Sequence, residues 1–206
     1  MAMGSMRRKS PRLPGYNYRR PGAYFVTIAT KNRVCLFGDV EEEEVRLSVE
    51  GTIAEKCWRA IPGHHKHVEL DAFVIMPNHV HGIICLMDDI TDQRSESDAT
   101  NRLVGETRRD TIYRVATQAA TPRKFGGSEA GSLSTIVATY KAAVTRDNNK
   151  RNGTPGQSIW QARFYDHIIR LQNPDELDRI REYIGANPVR WHLDRENPSN
   201  TRRDSG

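Results

Sequence analysis

His79 and His81, separated by one apolar residue, stand inside the run Val74-Ile75-Met76-Pro77-Asn78-His79-Val80-His81-Gly82-Ile83-Ile84-Cys85. In a strand, residues i and i+2 share a face. Both imidazoles then project together as a bidentate grip for a metal ion, with Val80 on the opposite face. Downstream, Asp175 to Asn187 reads as a helix that sets Tyr183 and Asn187 one turn apart on a common side. A phenol nucleophile and an amide oxygen can therefore approach the same ion. A phosphodiester repels nucleophiles, so its cleavage needs a cation on the phosphoryl oxygen and a hydroxyl held in line. His79, His81 and Asn187 offer three neutral ligands to Mg²⁺ or Mn²⁺. Imidazole and amide ligation suits Mn²⁺ by softness, whereas abundance favours Mg²⁺. Tyr183, with an ordinary pKa of about 10, would attack phosphorus, displace the 3′-oxygen and form a 5′-phosphotyrosine bond. A second 3′-OH can reverse that step without ATP. Taken singly, each feature also has a structural meaning: a His-x-His pair on a surface strand, a tyrosine packed late in a helix, and an asparagine ending a helix before Pro188.

The elements that must position these residues follow from pattern. Tyr24 to Ala29 is β-branched and aromatic and reads as the first strand. Glu41 to about Ala60 reads as the first helix, its four acidic residues Glu41 to Glu44 suiting the positive end of the helix dipole. His64-His65-Lys66-His67 reads as a polar loop before two paired strands, Val68 to Met76 and His79 to Leu86, joined tightly around Pro77-Asn78. Met87 to about Gly131 is rich in Asp, Ser, Thr, Arg and Gly and reads as a long insertion. Leu133 to Asn148 carries apolar residues at helical spacing. Phe164 to Leu171 alternates as a last strand, and Asn173-Pro174-Asp175 opens a final helix closed by Pro188. This order predicts an α+β fold: a ferredoxin-like split βαβ plan with an antiparallel sheet, helices on one face and an extra C-terminal helix carrying the tyrosine. The second face is then open to substrate.

Composition points to a nucleic-acid partner. The 206 residues hold 31 Lys+Arg against 26 Asp+Glu, a formal charge of +5. The basic residues crowd the start and recur later, as phosphate neutralisation requires. The candidates for DNA contact are Arg19, Arg20, Lys31, Arg33, Lys141 and Arg163, with Tyr16 and Tyr18 as stacking partners. Trp160 and Trp191 read as core. Cys35, Cys57 and Cys85 are widely spaced and odd in number, which predicts free thiols and a reducing cytoplasm. No apolar run reaches the length of a membrane span. The stretch Met1 to Met6 reads as a tag scar. The expected organisation is a scar and basic arm over 1–15, one catalytic domain over 16–192 with the insertion at about 88–131, and a polar tail over 193–206.

Three blocks in order now carry a resemblance: Gly22-Ala23-Tyr24-Phe25-Val26-Thr27 with Asn32-Arg33, then Met76-Pro77-Asn78-His79-Val80-His81, then Ile159-Trp160-Gln161-Ala162-Arg163-Phe164-Tyr165-Asp166-His167-Ile168-Ile169-Arg170 followed by Tyr183-Ile184-Gly185-Ala186-Asn187-Pro188. They span about Tyr16 to Trp191, and the chain resembles the single-tyrosine HUH transposases, most closely the REP-associated tyrosine transposases. The resemblance implies metal-dependent nicking and strand transfer on single-stranded DNA with hairpin ends. It also implies a homodimer whose tyrosine helix docks on the partner's histidines, and an Asn or Gln as third ligand, which Asn187 fits. Tyr140 and Tyr165 compete with Tyr183 as nucleophile, but only Tyr183 has an amide side chain four residues later. Two other readings are a domesticated hairpin-binding protein without productive transposition, and an HxH phosphoesterase, against which stands the lack of a second His-x-Ser/Thr motif.

Overall fold

The computed structural model describes residues 16–88, 130–170, 172–194 and 196–201. Most of the expected insertion and all of the N-terminal arm lie outside the described residues. The strands are β1 (Gly22–Ala29), β2 (Gly38–Glu41), β3 (Glu44–Leu47), β4 (Val68–Met76), β5 (His79–Leu86) and β6 (Tyr165–Ile169). The helices are α1 (Val49–Arg59), α2 (Ile61–His64), α3 (Leu133–Asn152), α4 (Pro174–Gly185) and the short α5 (Pro198–Thr201). Four strands form one sheet in the order β4-β5-β1-β6, and every neighbouring pair is antiparallel. β1 and β4 are thus parallel with β5 between them, which is the split βαβ plan.

One expectation is corrected. Glu41 to Glu44 do not start a helix; they close a two-stranded hairpin of β2 and β3, with Glu42 at φ 50° and Glu43 at φ 66°. Two consecutive positive φ angles give the turn a twist that matches its flanking strands. Helix α1 begins only after Ser48, whose hydroxyl accepts from the Gly51 N–H at 3.0 Å.

Alternation along β5 divides the molecule. Val80, Ile84 and Leu86 point into a core shared with Tyr24, Val26 and Ile28 of β1, with Ala54 and Trp58 of α1, and with Leu133, Ile136, Val137, Tyr140 and Val144 of α3. Gly82 lies on this face because a Cβ there would stand 2.3 Å from Trp58 Cζ2. On the opposite face Ile83 and Cys85 pack with Ala23, Phe25 and Ile169 against Leu177 and Ile184 of α4. The second face of the sheet is therefore largely occupied by the tyrosine-bearing helix. With both faces covered, every residue of β5 is buried.

Helix α4 is held in place at both ends. Pro174 stands at its start with Asp175 and Glu176 in the first turn, where fixed φ and negative charge both favour initiation. Between Leu70 and Phe73 the β4–β5 register shifts, and Asp71 in that irregularity accepts from Arg181 Nε at 2.9 Å. Burial of Leu177 and Ile184 supplies the main attraction, and the Arg181–Asp71 pair fixes the rotation of the helix about its axis.

Candidate active site

The odd-numbered end of β5 brings His79 and His81 side by side, their ring centroids 4.4 Å apart. Pairing with β1 sets Thr27 opposite His81, and Thr27 Oγ1 lies 2.8 Å from His81 Nδ1. His79 Nδ1 lies 2.9 Å from Asn78 Oδ1. The Asn78 amide nitrogen donates to two carbonyls, Arg33 O at 3.1 Å and Glu196 O at 2.6 Å, so its oxygen must be the atom facing His79. An amide oxygen only accepts, hence Nδ1 of His79 carries the proton and its Nε2 presents a lone pair. That Nε2 is buried and, among the described residues, has no hydrogen-bond partner. An orphaned imidazole lone pair, with the other nitrogen anchored, is the arrangement of a metal ligand.

Burial pushes the pKa of His79 down to about 3. It does the same for His81, where the neighbouring His79 adds to the depression and the negative charge of Asp194 opposes it. Both rings are neutral at physiological pH, the form that ligates. Asp194 completes the cluster: ligand atoms of His79, His81 and Asp194 all lie within 4.8 Å of one another, and His79 Nε2 is 3.7 Å from Asp194 Oδ2. Two imidazole nitrogens and a carboxylate oxygen fit a divalent cation. Asp194 falls in the segment read from sequence as a polar tail. Two residues of that segment instead stand at the site, Asp194 beside the histidines and Glu196 paired with Arg33 at 3.0 Å.

Tyr183 reaches the same place from α4. Its hydroxyl is 3.5 Å from His81 Nε2, and its ring stands edge-on to Phe25 at 5.9 Å. The phenol is 45% exposed. Partial burial raises its pKa; a side-chain hydrogen bond with Asn187 opposes the rise, and the negative charges of Asp194 and Glu196 add to it. Asn187 is 4% exposed and its Nδ2 donates to Tyr183 O at 2.8 Å, so the amide braces the turn that carries Tyr183. One chain thus supplies both the tyrosine and the histidines, whereas the resemblance implies docking on a partner.

The remaining candidates fall into distinct groups. Tyr140 is buried beneath the opposite face, its hydroxyl donating to Ala54 O at 3.3 Å, and burial raises its pKa well above the ordinary value. It is a core residue remote from the histidines. Lys141 Nζ donates to Gln161 O at 2.6 Å and Ala162 O at 3.3 Å, bracing the segment before β6. Arg33 belongs to the site's frame through Glu196. Lys31, Arg19 and Arg163 are exposed, and the Arg20 guanidinium lies 6.0 Å from the Tyr16 ring. Trp160 is in the main core, and the Trp191 ring lies 6.0 Å from His79. Sequence reading missed Thr27, Asn78 and Asp194. Asn78 sits beside His79 in the motif and was readable as an anchor for its neighbour. Asp194 had no local signal.

Comparison with known proteins agrees with the architecture. No family model matches the chain. A protein of Haemophilus influenzae (strain ATCC 51907 / DSM 11121 / KW20 / Rd), described as uncharacterized, is 37% identical over 193 residues, covering 93% of each chain. Among solved structures, that of a REP-associated tyrosine transposase bound to a REP hairpin superposes with a TM-score of 0.50 at 19% identity, over 91% of this chain and 74% of that one. The chain has that transposase-like fold.

Proposed function

The chain belongs to the family of the uncharacterized Haemophilus influenzae protein and has a transposase-like α+β fold, and from that premise we propose that it nicks and rejoins single-stranded DNA through Tyr183. The observation that carries this reading is the approach of the Tyr183 hydroxyl to His81 Nε2, 3.5 Å away, beside a buried His79 Nε2 that lacks a partner. His79, His81 and Asp194 would hold the divalent cation, Mn²⁺ or Mg²⁺, with Asn187 as a further oxygen donor beside the phenol. When bound, that ion supplies Lewis-acid polarisation of the phosphoryl oxygen.

The residues of the chain do the rest. Asn78 and Thr27 fix the two imidazoles, so the ligands need no reorganisation. Asn187 holds the last turn of α4 and orients the phenol toward the histidines. Tyr183 oxygen attacks phosphorus, the P–O3′ bond breaks, and the departing 3′-oxygen takes a proton from water to leave as a 3′-OH. The phenol proton passes to water at the exposed side of the ring. Attack by another 3′-OH on the phosphotyrosine restores the phenol and joins the strands, with no net loss of phosphodiester bonds. Hairpin-bearing DNA is the substrate proposed, because the transposase of like fold is bound to a REP hairpin. Among the described residues no helix is long and apolar enough to cross a membrane, and all three cysteines are free, which supports a cytoplasmic site of action. A homodimer on this geometry would pair two complete sites rather than share them. We also propose that residues 16–192 act as one catalytic domain, extended by Asp194 and Glu196.

The test is a labelled single-stranded oligonucleotide with a hairpin, incubated with and without Mn²⁺ or Mg²⁺ and resolved on a denaturing gel. The wild type should form a metal-dependent covalent adduct that Tyr183→Phe lacks while still binding the hairpin. His79→Ala, His81→Ala and Asp194→Ala should each lose the metal-dependent adduct. An adduct that persists in Tyr183→Phe refutes the assignment of the nucleophile. Hairpin binding with no adduct under any metal favours the domesticated binding protein instead.

A further inference from the structure

Tyr165 is the one large aromatic on the site's face of the sheet, besides Tyr183, that the described structure leaves 48% exposed. It stands on β6, an edge strand among the described residues. Register sets Tyr165 opposite Thr27 and Thr27 opposite His81, so the three side chains form one row across the sheet. Two strand spacings put the Tyr165 backbone about 10 Å from that of His81. Its ring meets Phe25 edge-on at 6.4 Å, and Phe25 in turn stacks on His81 at 5.3 Å and 27°. A line of rings thus runs from the histidines to the open edge.

The position is odd for a structural residue. Among the described residues about half of its surface stays uncovered and its hydroxyl has no hydrogen-bond partner. Neither does it resemble the nucleophile, since no imidazole lies against its oxygen as His81 lies against Tyr183. What the arrangement offers is a flat, prepositioned ring surface beside the reacting centre, backed by Phe25. Arg163, two residues before it, and Arg170, immediately after β6, are both exposed and cationic. A phosphate backbone following the edge strand would meet positive charge on either side of the ring, and single strands are gripped by this alternation of cation and aromatic.

We propose that Tyr165 is a stacking platform for the nucleobase of the nucleotide adjoining the scissile phosphate. This rests on the single-strand transferase reading above. Tyr165 touches the substrate base and takes no part in proton or phosphoryl transfer. A base has a π-face whatever its identity, so the contact fixes position more than sequence.

The experiment uses the full chain and hairpin oligonucleotides carrying 2-aminopurine on one side or the other of the cleavage point. In the Tyr183→Phe background, which binds without reacting, stacking should quench the probe on one side. Adding Tyr165→Ala should restore its fluorescence, and Tyr165→Phe should keep it quenched. With natural DNA, Tyr165→Ala should raise KM by about 5- to 150-fold, the worth of one base on an aromatic ring, with kcat little changed. Replacing that nucleotide by an abasic one should weaken the wild type equally and the Ala variant no further. Equal quenching and equal KM in wild type and Ala variant overturn the proposal, as does a Phe variant that fails like Ala. Unchanged thermal unfolding of each variant excludes misfolding. A wild type that makes no adduct yet quenches through Tyr165 refutes the transferase reading and leaves the platform standing.

Discussion

Replacing Asn78 tests how the site is held together. Its side chain is 1% exposed and makes three hydrogen bonds, to Arg33 O, Glu196 O and His79 Nδ1. At about 1 kcal/mol net for each, Asn78→Ala should cost about 3 kcal/mol of stability. For a chain of this size that lowers the melting temperature by roughly 6 to 12 °C. It should also free His79 to change tautomer, and losing such an outer support typically weakens metal affinity 10- to 100-fold. Asn78→Asp separates the two effects. A carboxylate still accepts from His79 Nδ1 but turns negative charge toward the carbonyls of Arg33 and Glu196. It should therefore lose stability while keeping most of the metal affinity. Calorimetric titration with Mn²⁺, paired with thermal unfolding in a chelator, reads both quantities on the same protein. Asn78→Ala with Mn²⁺ affinity within twofold of wild type and an unchanged melting temperature would refute the anchoring argument. An Asp variant that loses metal as completely as Ala would refute the tautomer argument alone.

Gly82→Ala drives a methyl to 2.3 Å from Trp58 Cζ2 and should cost about 1–3 kcal/mol; denaturant unfolding checks it, and a second change of Trp58→Leu should restore part of the loss. Stability of the metal-free protein should fall in acid. His79 and His81 are depressed to about 3 in the folded chain against about 6.5 unfolded. The unfolded state thus binds more protons between those values, and the contribution, full above pH 6.5, declines by up to about 1.4 kcal/mol per pH unit for each histidine. Melting curves from pH 7 to pH 5 that show no decline would contradict the buried neutral pair.

What was legible in the sequence was whatever local chemistry decides. The bounds of β4 and β5 follow from β-branched runs broken by Pro77-Asn78, and α4 announces itself through Pro174 and two acids. The face shared by His79 and His81 needs only the pleat. The β2–β3 hairpin was hidden because Glu42 and Glu43 adopt positive φ angles that glutamate seldom takes, and four acids in a row favour a helix start. Asp194 was hidden for a different reason. It meets the histidines across more than a hundred residues of chain, in a stretch whose composition is that of any solvated tail. Asn187 stands two residues beyond the end of α4 rather than on it, and periodicity could not say that its amide nitrogen would turn to Tyr183 O.

The alternation of β5 has an evolutionary consequence. Its even positions anchor the main core against α1 and α3, while its odd positions at the open end hold the histidines against α4. Changes at His79, His81 or Tyr183 would leave Val80, Ile84 and Leu86 in place. On the proposed function, selection can therefore silence the chemistry one side chain at a time while the residues that build the main core stay unchanged. A one-residue slip of the strand, by contrast, would carry both histidines into the core and the core into the site.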